Sequence, residues 1–243
     1  MVSKSQLKYI QSLGQKKYRD AEGVFVAEGP KLVKELIQSE NVELMKIFAL
    51  DEWIGENNDL LNSLNVTEIN EAELERISQL ITPNKVIAIV KKFEAGEPVI
   101  KERISLVLDA IRDPGNLGTI IRTADWFGIS QIICSDDCAD MYNPKVVQST
   151  MGSIARVNVF YRDLYVWLSQ QPGIPIYASM LEGKDVTKMN AIKQGMIIIG
   201  NESGGIDKQL QQYANEKISI PRKGTAESLN AAVATGIILS YLA

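Results

Sequence analysis

The sequence predicts an α/β protein in two parts, the second built on a mostly parallel sheet covered on both faces. Three observations carry that reading. From residue 104 onward, β-branched apolar runs alternate with stretches of helical periodicity. Several runs, Ile197-Ile198-Ile199 among them, are continuously apolar, as strands buried on both sides require. The charged segment Lys91-Lys92-Phe93-Glu94-Ala95-Gly96-Glu97-Pro98 interrupts the pattern and reads as a linker.

Ahead of the linker, 23–28 reads as a strand, and Gly29-Pro30 introduces a helix over 31–38 with Leu32, Val33, Leu36 and Ile37 at helical spacing. A second strand follows at 45–50, a short helix at 71–77 with Leu74 and Ile77 on one face, and a strand at 86–90. These elements define a first domain over 1–95. The second, over 101–243, has strands at 104–108, 131–134, 157–160, 175–178, 196–200 and 217–220. Helices are expected between and after them at 117–127, 144–151, 163–170, 207–213 and 228–242.

The chain has 243 residues, 45% of them apolar, enough for a substantial core. No apolar run approaches the ~18 residues of a membrane span, and the first residues lack the apolar stretch of a secretory signal, so a cytoplasmic location is expected. There is no histidine, which excludes Ser-His-Asp and Cys-His relays and histidine-ligated zinc within the chain. Catalysis would have to run on Arg, Lys, carboxylates, Tyr, Ser, Asn and backbone. Cys134 and Cys138 are too few for a disulfide framework or a four-thiolate metal site, and Cys134 reads as a buried strand residue. No metal is expected.

The net charge of −4 is unevenly spread. Residues 1–19 hold Lys4, Lys8, Lys16, Lys17 and Arg19 with no acid, whereas 20–100 hold seven bases and sixteen acids. The basic start is either a phosphate contact or a solvated helix face.

In a doubly wound sheet, ligands bind beyond the carboxyl ends of the strands, so the loops there come first. The first, Asp109-Ala110-Ile111-Arg112-Asp113-Pro114-Gly115-Asn116, enters a helix near Asn116, an N-cap residue type. Arg122 follows on its second turn among Ile120, Ile121 and Ala124, either in an ion pair or facing a pocket. The second, Gly200-Asn201-Glu202-Ser203-Gly204-Gly205, is a Gly-rich turn suited to close backbone approach by a nucleotide. It has neither the P-loop nor the dinucleotide spacing, which argues against a nicotinamide enzyme. In the third, Ile220-Pro221 ends a strand, Ser228 reads as the cap of the last helix, and Asn230 opens that helix's apolar face.

Together these segments resemble the SpoU (TrmH) family of S-adenosylmethionine-dependent RNA 2′-O-ribose methyltransferases, a branch of the SPOUT superfamily. The resemblance rests on Asn116 with Arg122, then Gly200-Asn201-Glu202 with Gly204-Gly205, then Ile220-Pro221 with Ser228-Leu229-Asn230. Phe25-Val26-Ala27-Glu28-Gly29-Pro30 and Thr82-Pro83-Asn84 look like the ends of the family's ribosomal-protein-like RNA-binding domain. The resemblance implies a C-terminal deep trefoil knot, an exception to the rule against knots. It further implies S-adenosylmethionine as cofactor, held by Ser179, Met180, Gly200, Asn201, Ile220, Pro221 and Leu229. Arg122 would orient and polarise a ribose hydroxyl of rRNA or tRNA, with Asn116, Glu202, Ser228 and Asn230 lining the ribose site. A homodimer is implied as well, to which the C-terminal helix with Val233, Ile237, Ile238 and Tyr241 offers either an interface or ordinary core. Where relatives commonly carry Ile-Pro-Met, this chain has Ile220-Pro221-Arg222, a more charged loop.

Overall fold

A computed structural model of the chain describes residues 2–94 and 96–243; Met1 and Ala95, the latter inside the predicted linker, lie outside the described residues. In chain order the elements begin with α1 (Lys4–Ser12), α2 (Lys16–Glu22), β1 (Val24–Glu28), α3 (Pro30–Ile37), β2 (Leu44–Ala49), α4 (Asp51–Glu56), α5 (Asn58–Leu61), β3 (Val66–Glu68), α6 (Glu71–Ile77) and β4 (Val86–Lys91). There follow β5 (Ile104–Leu108), α7 (Pro114–Trp126), β6 (Gln131–Cys134), α8 (Pro144–Thr150), β7 (Asn158–Tyr161), α9 (Leu164–Ser169), β8 (Ile176–Asp185), β9 (Gly195–Ile199), β10 (Glu216–Ser219) and α10 (Ala231–Leu242). The chain divides into two compact units. One takes in the chain through Glu94 together with Asp140–Ala155, and the other the stretch up to Ala139 together with Arg156–Ala243. The segment that carries α8, although it follows the predicted linker, groups by its contacts with the first unit.

In the first unit the strands run β1-β4-β2-β3, antiparallel except for β2 with β3. Val24, Val26, Phe48, Ile87 and Ile89 pack with Ile10 and Leu13 from the N-terminal helix region and with Leu74 and Ile77 of α6. The basic start of the chain is folded into α1 and α2 rather than extended. Ser3 and Gln6 close a capping box on α1, satisfying two backbone N–H groups at its entry. Arg19 is only 2% exposed: it pairs with Asp140 at 2.6 Å and donates to the carbonyls of Leu13 and Gly14 at 2.9 Å each. It is a structural cation and unavailable to phosphate. The segment around α8 is held further by Tyr142, whose ring lies 5.0 Å from that of Phe25. At Gly152 (φ 102°) a Cβ would sit 2.7 Å from Cβ of Glu35, so this close approach to α3 requires glycine.

The second unit holds six parallel strands in the order β10-β8-β9-β5-β6-β7. On one face Val107, Ile133, Phe160, Ala178, Met196 and Ile198 pack with Leu164, Trp167 and Leu168 of α9. Their alternates Leu106, Leu108, Ile132, Ile197 and Ile199 point the other way and are equally buried, as the unbroken apolar runs predict. α7 and α10 pack on each other. Helix 207–213 is realised only as a 3-10 turn over Leu210–Tyr213. β8 is longer than the predicted 175–178. After pairing with β9 through Ala178 it continues to Asp185, and against β10 its register jumps from Ala178 opposite Lys217 to Lys184 opposite Ile218. Ser179 and Met180 thus lie within the bulged part of a strand rather than beyond its end. Among the described residues no helix is long and apolar enough to cross a membrane, and no cluster of three or more His, Cys, Asp or Glu is arranged to hold a metal ion.

Candidate active site

Because the strands are parallel, the turns after β5, β9 and β10 emerge at one edge of the sheet. α7 starts at Pro114, with Asp113 as its N-cap accepting from the Asn116 N–H at 2.8 Å, so Asn116 stands inside the first turn instead of capping it. Asp113-Pro114 is the cap-then-proline pair that favours such a start, and sequence reading had a signal for it. α10 starts at Ala231, and its cap is Asn230 rather than Ser228: Oδ1 of Asn230 accepts from the N–H groups of Ala232 and Val233 at 3.0 and 3.2 Å.

The consequence is a side-chain network that joins all three loops. Asn116 Nδ2 donates to Glu202 Oε1, and Asn230 Nδ2 donates to Asn116 Oδ1 at 2.9 Å. Asn116 is thereby fixed in one amide orientation, with donor toward the carboxylate and acceptor toward Asn230. The turn carrying Glu202 is closed by paired backbone hydrogen bonds between Asn201 and Gly205. Asn201 Nδ2 also donates to the carbonyl of Ala110 at 2.9 Å, which fastens this turn to the loop after β5. A Cβ at Gly200 would fall on the backbone of Gly205 and Ile206, so the tightness of the turn depends on that glycine. Ala110 itself adopts φ 54°, a sparsely populated value for a residue with a Cβ, and Asn201 holds it there. Asn201 was expected as a ligand contact; its clasp on Ala110 was not legible.

Arg122 lies on the third turn of α7, exposed, with no ion pair or hydrogen bond among the described residues. Of the two readings open from sequence, the structural ion pair is not realised. An unpartnered guanidinium on a polar helix face retains its five donors for a phosphate or hydroxyl. Ser228 is also exposed and takes no part in the network.

Ser179 and Met180 sit on β8, Gly200 and Asn201 follow β9, and Ile220 and Pro221 follow β10, three neighbouring strands. Leu229, 46% exposed, precedes the cap of α10. Residues 221–230 are exposed throughout, and within them Arg222 donates to the carbonyl of Ala226 at 3.3 Å.

A parallel sheet with three linked turns and a polar network at its strand ends defines an α/β protein of the class that binds a nucleotide-like ligand there. Residues 103–240 match the SpoU rRNA methylase family, and 4–88 match an MRM3-like substrate binding domain. The chain belongs to the SpoU rRNA methylase family. It is similar to the 23S rRNA (guanosine(2553)-2′-O)-methyltransferase RlmP of Bacillus subtilis, 32% identical over 93% of this chain and 91% of the relative. Among solved structures, a TrmH-family protein of Porphyromonas gingivalis is similar at TM-score 0.85 and 33% identity, covering 99% of this chain and 98% of the other. An AdoMet-bound rRNA methyltransferase of Sinorhizobium meliloti is similar at TM-score 0.84 and 30% identity, covering 98% and 95%.

Proposed function

We propose that this chain is an S-adenosylmethionine-dependent RNA methyltransferase that modifies a ribose 2′-hydroxyl, in rRNA or tRNA. The observation that carries the reading is the Glu202–Asn116–Asn230 network, with Arg122 unpartnered on the same helix as Asn116. The similarity to a named 23S rRNA 2′-O-methyltransferase supports rRNA as the first substrate to test.

The donor set fits S-adenosylmethionine: backbone groups of Gly200, Asn201, Ile220 and Pro221, with Ser179, Met180 and Leu229 as walls, suit an uncharged adenosine held by main chain. When bound, the cofactor supplies an electrophilic methyl group. A ribose hydroxyl is a weak nucleophile and needs polarisation. Arg122 donates to the hydroxyl oxygen and to the adjacent phosphate, holding the attacking atom in line. A guanidinium offers donors and no acceptor, so the hydroxyl proton passes to the substrate's phosphate oxygen. Asn116, oriented by Glu202 and Asn230, lines the ribose.

The finer architecture is part of the same proposal: a trefoil knot in the C-terminal part, an N-terminal RNA-binding domain, a cytoplasmic location and a homodimer. The dimer reading is supported by exposed apolar side chains on two helices that pack on each other, Trp126 of α7 and Val233 and Tyr241 of α10. Ile238, by contrast, is core.

Mapping 2′-O-methyl sites in total RNA from cells with and without the gene tests the function. One site lost on deletion and restored by the purified protein with S-adenosylmethionine is the expected result. An unchanged map, with no measurable donor binding by calorimetry, would replace the enzyme with an inactive RNA-binding relative.

A further inference from the structure

A cleft of about 630 Å³ opens in the second unit at the carboxyl ends of β5, β6 and β7, beside the 201–205 turn that carries Glu202. Asp109, Asp136, Asp137, Asp163 and Asp207 line it. Its two guanidiniums are already engaged, Arg112 by Asp137 at 2.6 Å and Arg162 by Glu97 at 3.2 Å. The lining therefore opposes phosphate and favours a ligand rich in hydrogen-bond donors.

Asp109 is the best-defined group in it. It is 8% exposed, and its Oδ2 accepts from the Asp207 N–H at 2.7 Å, whereas Oδ1 accepts no hydrogen bond among the described residues. Burial pushes its carboxyl above the ordinary range, with Asp137 and Asp207 adding to the effect. A largely buried carboxylate whose Oδ1 has acceptor capacity to spare is stabilised by any ligand that brings donors to it. Tyr165, 39% exposed at the same wall, offers a ring edge or face to a flat group.

We propose that this cleft receives a guanine base of the substrate RNA, from the methylated nucleotide or its immediate neighbour, with N1–H and N2–H donating to the carboxylate of Asp109. Guanine presents two adjacent donors on its pairing edge, matching two adjacent carboxylate oxygens. Cytosine and adenine place an acceptor beside their amine, and uracil flanks its single N–H with carbonyls, so each sets an acceptor against the carboxylate. Oδ2 has a second lone pair, so the bond from Asp207 is retained. The inference rests on the methyltransferase reading and deepens it by naming a base.

The test uses the full chain, S-adenosylmethionine and an RNA fragment carrying the mapped site, with each nearby guanosine replaced in turn by inosine, which lacks the 2-amino group. At one position, kcat/KM should fall roughly ten- to a hundred-fold, the effect of one hydrogen bond to a charged acceptor. Asp109→Asn keeps an acceptor for the Asp207 N–H. It should lose activity on the guanosine RNA and show no further loss on the inosine RNA, while retaining donor affinity by calorimetry. Methyl transfer indifferent to inosine at every position within one nucleotide of the site overturns the proposal, and that arm needs no variant. Inosine sensitivity surviving in Asp109→Asn overturns it too. Absence of methyl transfer from wild type with any rRNA or tRNA would instead defeat the underlying enzymatic reading.

Discussion

At the scale of single residues, the proposed chemistry rests on one cation, Arg122, and one oriented amide, Asn116. Arg122→Ala should abolish methyl transfer while S-adenosylmethionine affinity by calorimetry stays near wild type; normal turnover in that variant would remove Arg122 from the mechanism. Asn230 has two separable roles, and a pair of substitutions resolves them. Asn230→Asp keeps an acceptor for the Ala232 and Val233 N–H groups and should leave the melting temperature nearly unchanged, yet it has no amide to donate to Asn116 and should slow turnover at least ten-fold. Asn230→Ala should lose both, including about 1 kcal/mol of cap stability. Residue pattern singled out Arg122, Glu202 and Asn230 without fixing their roles, and the family resemblance nominated them, with Asn116, as the site. The assignment of Ser228 as a cap was wrong because serine and asparagine cap equally well, and only the position at which the helix hydrogen bonds begin separates them.

Among elements, the turn after β9 is the most demanding. Gly200→Ala places a methyl group on the Gly205 and Ile206 backbone, so the turn must open and carry Glu202 and Asn201 with it. An overpacking cost of about 1–3 kcal/mol in chemical denaturation is expected, together with weakened donor binding; an unaffected variant would show that the turn is not rigid. Strand interiors were legible because their β-branched runs need no partner to be recognised. The extension of β8 was not: Glu182, Gly183, Lys184 and Asp185 are poor strand formers, and their extended state is supplied by pairing with β10. At Gly183 a Cβ would meet the Lys217 carbonyl at 2.6 Å, so the close pairing with β10 requires glycine there.

For the molecule as a whole, charge placement changes meaning once the chain is folded. Removing one partner of a buried ion pair typically costs ~3–5 kcal/mol. Arg19→Met should fall toward the low end of that range, since Asp140 keeps some contact with water, and chemical denaturation measures it. Glu28, at the end of β1, is pushed above its ordinary value by burial, against the pull of hydrogen bonds from Ser78 and from the Gln79 N–H. The native state therefore binds that proton more tightly than the unfolded chain does. The stabilisation is complete below the unfolded carboxylate range and is lost as pH rises through the native value. Against Glu28→Gln, wild type should show the steeper fall in melting temperature from about pH 4 upward; parallel curves would contradict this. For the proposed dimer, Val233→Glu should shift sedimentation toward monomer at micromolar concentration.

Although it did not reveal the short elements β3, α4 and α5 or the full length of β8, the local pattern of this chain was sufficient for most strands of its second sheet, the helices that cover them, its unbroken buried runs and its three loops. Those features are written in the identity of near neighbours, through steric preference and through period. The meeting of those loops is another matter. Asn116 and Glu202 are 86 positions apart, and Asn230 is 114 from Asn116. They touch because the order β10-β8-β9-β5 sets their strands side by side. The same holds for Arg19, which counts as one of five basic residues near the start of the chain until Asp140 folds against it. Contacts of such separation arise from the packing of whole elements, whose free energy is shared over the core and carried by no short stretch of sequence.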